Sequence, residues 1–276
     1  KNFMYSGSTL TNLSGNIMGA HQKIDRSSRH ALRDLLSSDK QFPSKKLLLH
    51  FEGKNGPDSA KAKLDGEHAP WHFYDPFDPD DGLLVEQIEA HFGRLSANLK
   101  ERNIERAAFE ASWLAHAIVD GLTPAHHYPF EAELERLRGE GKETRTTVLK
   151  KVVIPADTKR ELFTKNWEMW GAKGLFTTHA MFEWGAAMVM APMSTMIARP
   201  TRYDLKKIEQ LGLSEYFKRV AREVALLDMY EQFYKRGWTP KLAKTVRLEL
   251  APRMARTVTL AWYLASKDAG ITSSEV

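Results

Sequence analysis

The segment from Ala107 to His127 (AAFEASWLAHAIVDGLTPAHH) constrains this chain most, because it is almost wholly apolar yet carries a histidine and an aspartate along its apolar face. At helical spacing His116 and Asp120 align with Phe109 and Trp113, so both polar groups point toward the core. An ionised carboxylate in an apolar interior is too costly to stand alone. The segment therefore demands partners of opposite charge, and a divalent cation shared by several such groups is the simplest. Gly121 and Pro124 end the helix, and His126 and His127 follow at once.

Two further segments repeat the pattern of a histidine with a carboxylate four residues on: His21/Asp25 and His179/Glu183. In an α-helix such a pair lies on one face, about 6 Å apart along the axis, within reach of one ion or two neighbouring ions. The spacing alone is cheap, since ten histidines and 35 acidic residues produce it by accident. Context adds weight, for His179 and Glu183 lie in another apolar run, LFTTHAMFEWGAAMVMA. With no cysteine among 276 residues, disulfides, thiolate zinc fingers, iron–sulfur clusters and cysteine nucleophiles are all excluded. Any metal must be held by nitrogen and oxygen.

Apolar residues recur at three- and four-residue spacing and period-two alternation is scarce, which predicts an all-α chain. Helices are expected from about Ile17 to Leu36, Leu83 to Leu99, Ala107 to Val119, Trp167 to Met190, Ser214 to Tyr234 and Pro240 to Lys267. Leu47 to Phe51 reads as a short apolar turn. Gly53 to Gly82, rich in Gly, Pro and Asp, reads as a long helix-free excursion ordered by Trp71, Phe73, Tyr74 and Phe77. No repeat or linker divides the chain, so residues 1–276 are expected to form one domain. The longest apolar stretch, Trp184 to Met193, is too short to span a bilayer. A formal charge of +5 mildly favours anionic substrates or surfaces.

The histidines and carboxylates together resemble the zinc-dependent phospholipase C superfamily, which includes single-strand nucleases. His116, Asp120, Pro124 and His126 match its H-x3-D-x5-H pattern with a proline two residues before the last histidine, and His179 and Glu183 match its H-x3-E. The segment HFYDPFDP resembles the family's HFYDPD, making His72 the corresponding ligand. Asp58, fourteen residues upstream, and His21 within AHQKID occupy comparable positions to further ligands.

The resemblance implies a compact helical bundle with long connecting loops and a cleft for two or three zinc ions. By it, Asp58, His72, His116 and Asp120 hold one ion and His126, His179 and Glu183 a second, while Asp120 and His21 share a third. Asp58 and Asp120 are the carboxylates it places in catalysis. The implied reaction is phosphodiester hydrolysis, a zinc-activated hydroxide attacking phosphorus in line. A phospholipid headgroup is the implied substrate, with peripheral membrane contact and a secreted or extracytoplasmic location.

Departures from the family leave alternatives open. No Trp occurs before Trp71 to complete the third site as the family's N-terminal Trp does, and Asp25 is offered either as a substitute ligand or as a solvated or capping carboxylate. Ser59 and Ala69 stand where the phospholipases have aromatic headgroup contacts, and residues 128–178 form an enlarged insertion whose charge suits a solvated helix. A nuclease stacking bases on the Trp71 to Phe77 aromatics remains open, as does a helical metal-binding protein without turnover; a ferritin-like di-metal bundle is weaker, for want of Glu-x-x-His pairs. His30, His50, His68, His91 and His127 match no ligand, His68 and His127 being candidates for outer contacts. The acidic loop Asp75, Asp78, Asp80 and Asp81 lacks the order of a calcium-binding loop.

Overall fold

The computed structural model describes residues 19–53, 55–64 and 70–273. It is a helical bundle, with 74% of the described residues helical. Among the described residues the β-structure is an isolated antiparallel bridge between Leu36 and Thr272.

The first helices among the described residues are α1 (Ala20–Leu32), α2 (Lys45–Glu52) and α3 (Pro57–Lys63). Two expectations change here. The apolar stretch expected as a turn is the helix α2, started by the Ser44 side chain accepting from the Leu47 N–H. Inside the stretch expected to be helix-free, Pro57 sits in the first turn of α3, where its missing N–H costs nothing. The first helix is shorter than expected, running on as a 3-10 turn from Arg33 to Leu35; Ile17 lies outside the described residues, as do Ala69 and His68.

Next come α4 (Leu83–Lys100) and α5 (Ile104–Gly121), which pack together along their length as the periodicity predicts. Small residues make α5 central: Ala107, Ala111 and Ala115 are fully buried and let α2, α4 and the C-terminal helix approach closely. The fully buried Trp262 donates its indole N–H to the Ala111 carbonyl at 3.0 Å. Gly121, the last residue of α5, lies where a Cβ would come within 2.4 Å of Phe217.

Residues 128–178 hold α6 (Phe130–Arg138), α7 (Val148–Val152) and α8 (Lys159–Trp170), followed by α9 (Leu175–Met190). The insertion is more than a solvated helix. Phe130, Leu134, Leu137, Ile154 and Met169 form a second apolar cluster with Phe73. The buried Arg138 caps it, donating to the Val153 carbonyl at 3.1 Å and to Glu140 at 2.7 Å. The single helix expected from Trp167 to Met190 is two, divided at Gly171 to Gly174.

The bundle closes with α10 (Arg202–Ala225), α11 (Met229–Arg236), α12 (Pro240–Thr245) and α13 (Ala251–Asp268). A reciprocal Thr201/Asp204 cap starts α10, and Gly212, at φ 75°, kinks it. The helix expected from Ser214 to Tyr234 thus begins earlier and breaks before α11 at Asp228, itself left-handed at φ 51°. Between α12 and α13 one π turn (Val246–Leu250) relieves the ladder just before Pro252, which has no N–H to donate. Packing against α1, α4, α5 and α10, α13 carries much of the main core.

Candidate metal centre

Four parts of the fold converge on Asp120. Helix α5 presents His116 and Asp120 one turn apart, and α1 lies across it with His21. The loop after residue 70 brings His72 in, and the 3-10 turn Pro124–His127 turns His126 back toward the helix it follows. On the far side α9 presents His179 and Glu183.

The distances are short. Asp120 Oδ2 lies 2.5 Å from His72 Nδ1 and 3.1 Å from His116 Nε2, while Oδ1 lies 3.4 Å from His21 Nε2 and 3.6 Å from His126 Nδ1. Asp58 Oδ1 on α3 faces His116 Nε2 at 3.6 Å. Glu183 Oε1 lies 2.7 Å from His126 Nε2 and 3.2 Å from His179 Nε2. All eight ligand candidates read from the sequence (His21, Asp58, His72, His116, Asp120, His126, His179 and Glu183) therefore fall in one connected cluster. Among the described residues, two groups within it bring a ligand atom from each member within 4.8 Å of the others, Asp58/His72/His116 and His126/His179/Glu183, and a third joins His21 and His116 to Glu52.

The donor set suits a cation. With the His126 Nδ1–H spent on the His72 carbonyl at 2.6 Å, Nε2 is left facing the Glu183 carboxylate at 2.7 Å. Two acceptors this close need a proton or a metal ion between them. His72 Nε2 and His179 Nδ1 are buried without a hydrogen-bond partner, and so is His116 Nε2 despite the carboxylates beside it. Buried polar atoms rarely stay unsatisfied in native proteins. A cavity of about 20 Å³, room for about one water, is lined by His21, Thr123 and Glu183.

Electrostatics agrees with the geometry. Burial lowers His116, but Asp120, Glu52 and Asp58 outweigh it and carry the ring well above the usual histidine range; Asp120 and Glu183 likewise raise His126 against its burial. Burial raises Asp120, yet His116, His126 and His72 bring it well below the ordinary carboxylate value. Asp58 and Glu183 are lowered in the same way by the histidines facing them. Burial, aided by the positive charge of Lys61, pushes His72 down to about 4.

Two buried acids stand beside these. Asp25, one turn past His21, is neither solvated nor a surface cap: it is buried with Oδ2 unpartnered, and burial together with Glu52 pushes its carboxyl well above the usual range. Glu52, the last residue of α2, was not singled out by motif reasoning, although in a helix it shares a face with the buried Leu48.

Among the described residues, three of the histidines outside this set bond elsewhere. His50 meets the Asn55 side chain at 2.9 Å, His91 pairs with Glu110 at 2.6 Å, and the His127 Nε2 donates to the Gly121 carbonyl at 2.9 Å. The aromatics of the 70–81 loop divide: Phe73 and Tyr74 are buried, Trp71 is half-buried and Phe77 is exposed. In the same loop Asp75, Asp78 and Asp81 accept backbone N–H groups of their own turns rather than converging on one point.

No protein-family model matches the chain, and no curated protein matches it. Among solved structures it is similar to the alpha-toxin of Clostridium perfringens, isolated from an avian strain, with a TM-score of 0.52 and 15% identity. The match covers 92% of this chain and 65% of that one. The likeness is one of fold. The chain thus spans about two thirds of the alpha-toxin's length.

Proposed function

We propose that this protein is a zinc-dependent phosphodiesterase of the phospholipase C type, acting on phospholipid headgroups. One observation carries the reading most: the His126 ring, its Nδ1–H committed to the His72 carbonyl, aims its other nitrogen at Glu183 across 2.7 Å. In this reading Asp58, His72, His116 and Asp120 hold one ion, His126, His179 and Glu183 another, and His21 with Asp120 a third, weaker one. Zinc there supplies Lewis acidity and makes water a usable nucleophile at neutral pH. The chain's own residues position and shield: His72 Nδ1 and His116 orient Asp120, and Phe73 and Phe130 wall off His179 from solvent at ring distances of 6.1 and 5.2 Å. The fold shared with the alpha-toxin agrees with the assignment.

The lipid reading is favoured over the nuclease one by what the aromatics do. Of the four loop aromatics that could stack bases, Phe73 and Tyr74 pack inward, Trp71 is half-buried and Phe77 stands exposed by itself in that loop. The insertion instead exposes Val148 and Leu149 on α7 and the stacked pair Phe163 and Trp167 on α8, rings 6.1 Å apart. Trp170 and Asn166 of α8 donate to the Val152 and Ile154 carbonyls, at and just beyond the end of α7. Lys150, Lys159 and Arg160, near these residues in sequence, are exposed. Aromatic and aliphatic side chains bordered by cations suit the surface of an anionic bilayer. Among the described residues no helix is long and apolar enough to cross a membrane. A secreted or extracytoplasmic location accords with this reading.

Turnover of a short-chain phosphatidyl substrate, compared with single-stranded DNA at two salt concentrations, tests the assignment. Lipid cleavage with little DNA cleavage supports it. DNA cleavage whose binding weakens steeply with salt would replace it with the nuclease.

A further inference from the structure

We propose that Glu52 is a positioning residue that orients His116 and, through the ring stacked on it, His21. The inference rests on the zinc reading above and adds a residue to it. The His21 and His116 rings lie parallel, centroids 4.0 Å apart and planes within 8°. Both present the same edges in the same directions. The Glu52 carboxylate faces His116 Nδ1 at 3.2 and 3.3 Å through its two oxygens and His21 Nδ1 at 3.9 Å. On the opposite edge, His116 Nε2 and His21 Nε2 face the two oxygens of Asp120 at 3.1 and 3.4 Å.

A neutral imidazole has a single N–H, and a carboxylate can only accept. With the Glu52 carboxylate within hydrogen-bond distance of His116 Nδ1, a single ring N–H is held there and Nε2 is turned toward Asp120; His21, stacked on that ring, faces the same carboxylate at 3.9 Å without a hydrogen bond. Nε2 and Asp120 are then both electron-pair donors aimed at the same space, the arrangement a cation bridges. Such a carboxylate behind a ligating histidine fixes its tautomer and raises its basicity, and its loss typically weakens metal binding about 10–100-fold. Because His21 stacks on the His116 ring, Glu52 sits between the first proposed zinc site and the third. The carboxylate is 4% exposed, so water does not replace it. The Ser112 hydroxyl donates to the Leu48 carbonyl at 2.8 Å, a contact between α2 and α5 one turn away from the carboxylate.

The test is zinc affinity by chelator competition together with zinc content, for wild type, Glu52→Gln, Glu52→Asp and Ser112→Ala. A side-chain amide loses the charge and one of the two acceptor oxygens, so Glu52→Gln is expected to weaken zinc binding about 10–100-fold with the full number of ions bound at saturating zinc. Glu52→Asp should recover part of the loss. Ser112→Ala, which loosens the same helix without touching the carboxylate, should bind zinc as wild type does. Unchanged affinity in Glu52→Gln overturns the proposal, as does equal weakening in Ser112→Ala, which would mark a structural effect. Loss of a whole equivalent at saturating zinc would make Glu52 a ligand and overturn it too. Wild type without zinc affinity would sink the metal reading itself, an outcome distinct from these.

Discussion

Glu183 on α9 binds two histidines of different origin through one oxygen, His126 Nε2 at 2.7 Å and His179 Nε2 at 3.2 Å, their rings stacked 4.9 Å apart. The contact ties α9 to the turn after α5. Glu183→Gln keeps the volume and removes the charge. It is expected to cost about one zinc equivalent and to lower phosphodiesterase activity at least about 100-fold, with the helical content by circular dichroism unchanged.

Gly121 follows Asp120 directly and has no room for a side chain, since a Cβ would fall 2.4 Å from Phe217 and 2.8 Å from Leu84. Both neighbours are buried and cannot swing away. Gly121→Ala should lower stability by about 1–3 kcal/mol in urea denaturation, the usual cost of overpacking a core. Gly185, where a Cβ would meet Trp238 at 2.1 Å, should behave alike.

Remote from the metal centre, the fully buried Glu110 accepts from His91 at 2.6 Å and Arg94 at 3.0 Å and pairs with Arg106 at 2.6 Å. Burial raises its carboxyl, but these partners outweigh it and hold Glu110 below the usual carboxylate range. An acid whose folded value is depressed contributes stability above its unfolded pKa and loses it as pH falls through the folded one. Wild type should exceed Glu110→Gln by about 1–3 kcal/mol near neutral pH. The gap should close in strong acid, as denaturation at a series of pH values will show.

For the insertion, the expected result concerns vesicles. Phe163→Ser and Trp167→Ser remove exposed aromatics that touch little else, so stability should hold within about 0.5 kcal/mol. Binding to vesicles containing anionic lipid should fall about tenfold per aromatic, as the lost apolar burial implies. Hydrolysis of a soluble short-chain substrate should be spared, because neither side chain is part of the metal centre.

Much of the site was legible in the sequence because its logic is local. His116 and Asp120, like His179 and Glu183, declare themselves by sitting at helical spacing in apolar runs where charge is costly. Glu52 stayed hidden, for its partners His116 and His21 are far away in sequence and α2 is only eight residues long, too short for periodicity to mark its buried face. Asp25 was visible as a pair with His21, but its burial depends on how α1 crosses α2 and α5. The long helices were read correctly in kind. Their breaks were not, since Gly171 to Gly174, Gly212 and Asp228 interrupt otherwise continuous apolar patterns through backbone conformation.

The central claim is that this cluster of five histidines and its carboxylates exists to hold metal, and metal content tests it most directly. Wild-type protein purified without chelator should carry about two or three equivalents of zinc, and His116→Ala should lose zinc and phosphodiesterase activity together. Native protein that contains no metal, takes up none when zinc is supplied and is fully stable without it would contradict the account.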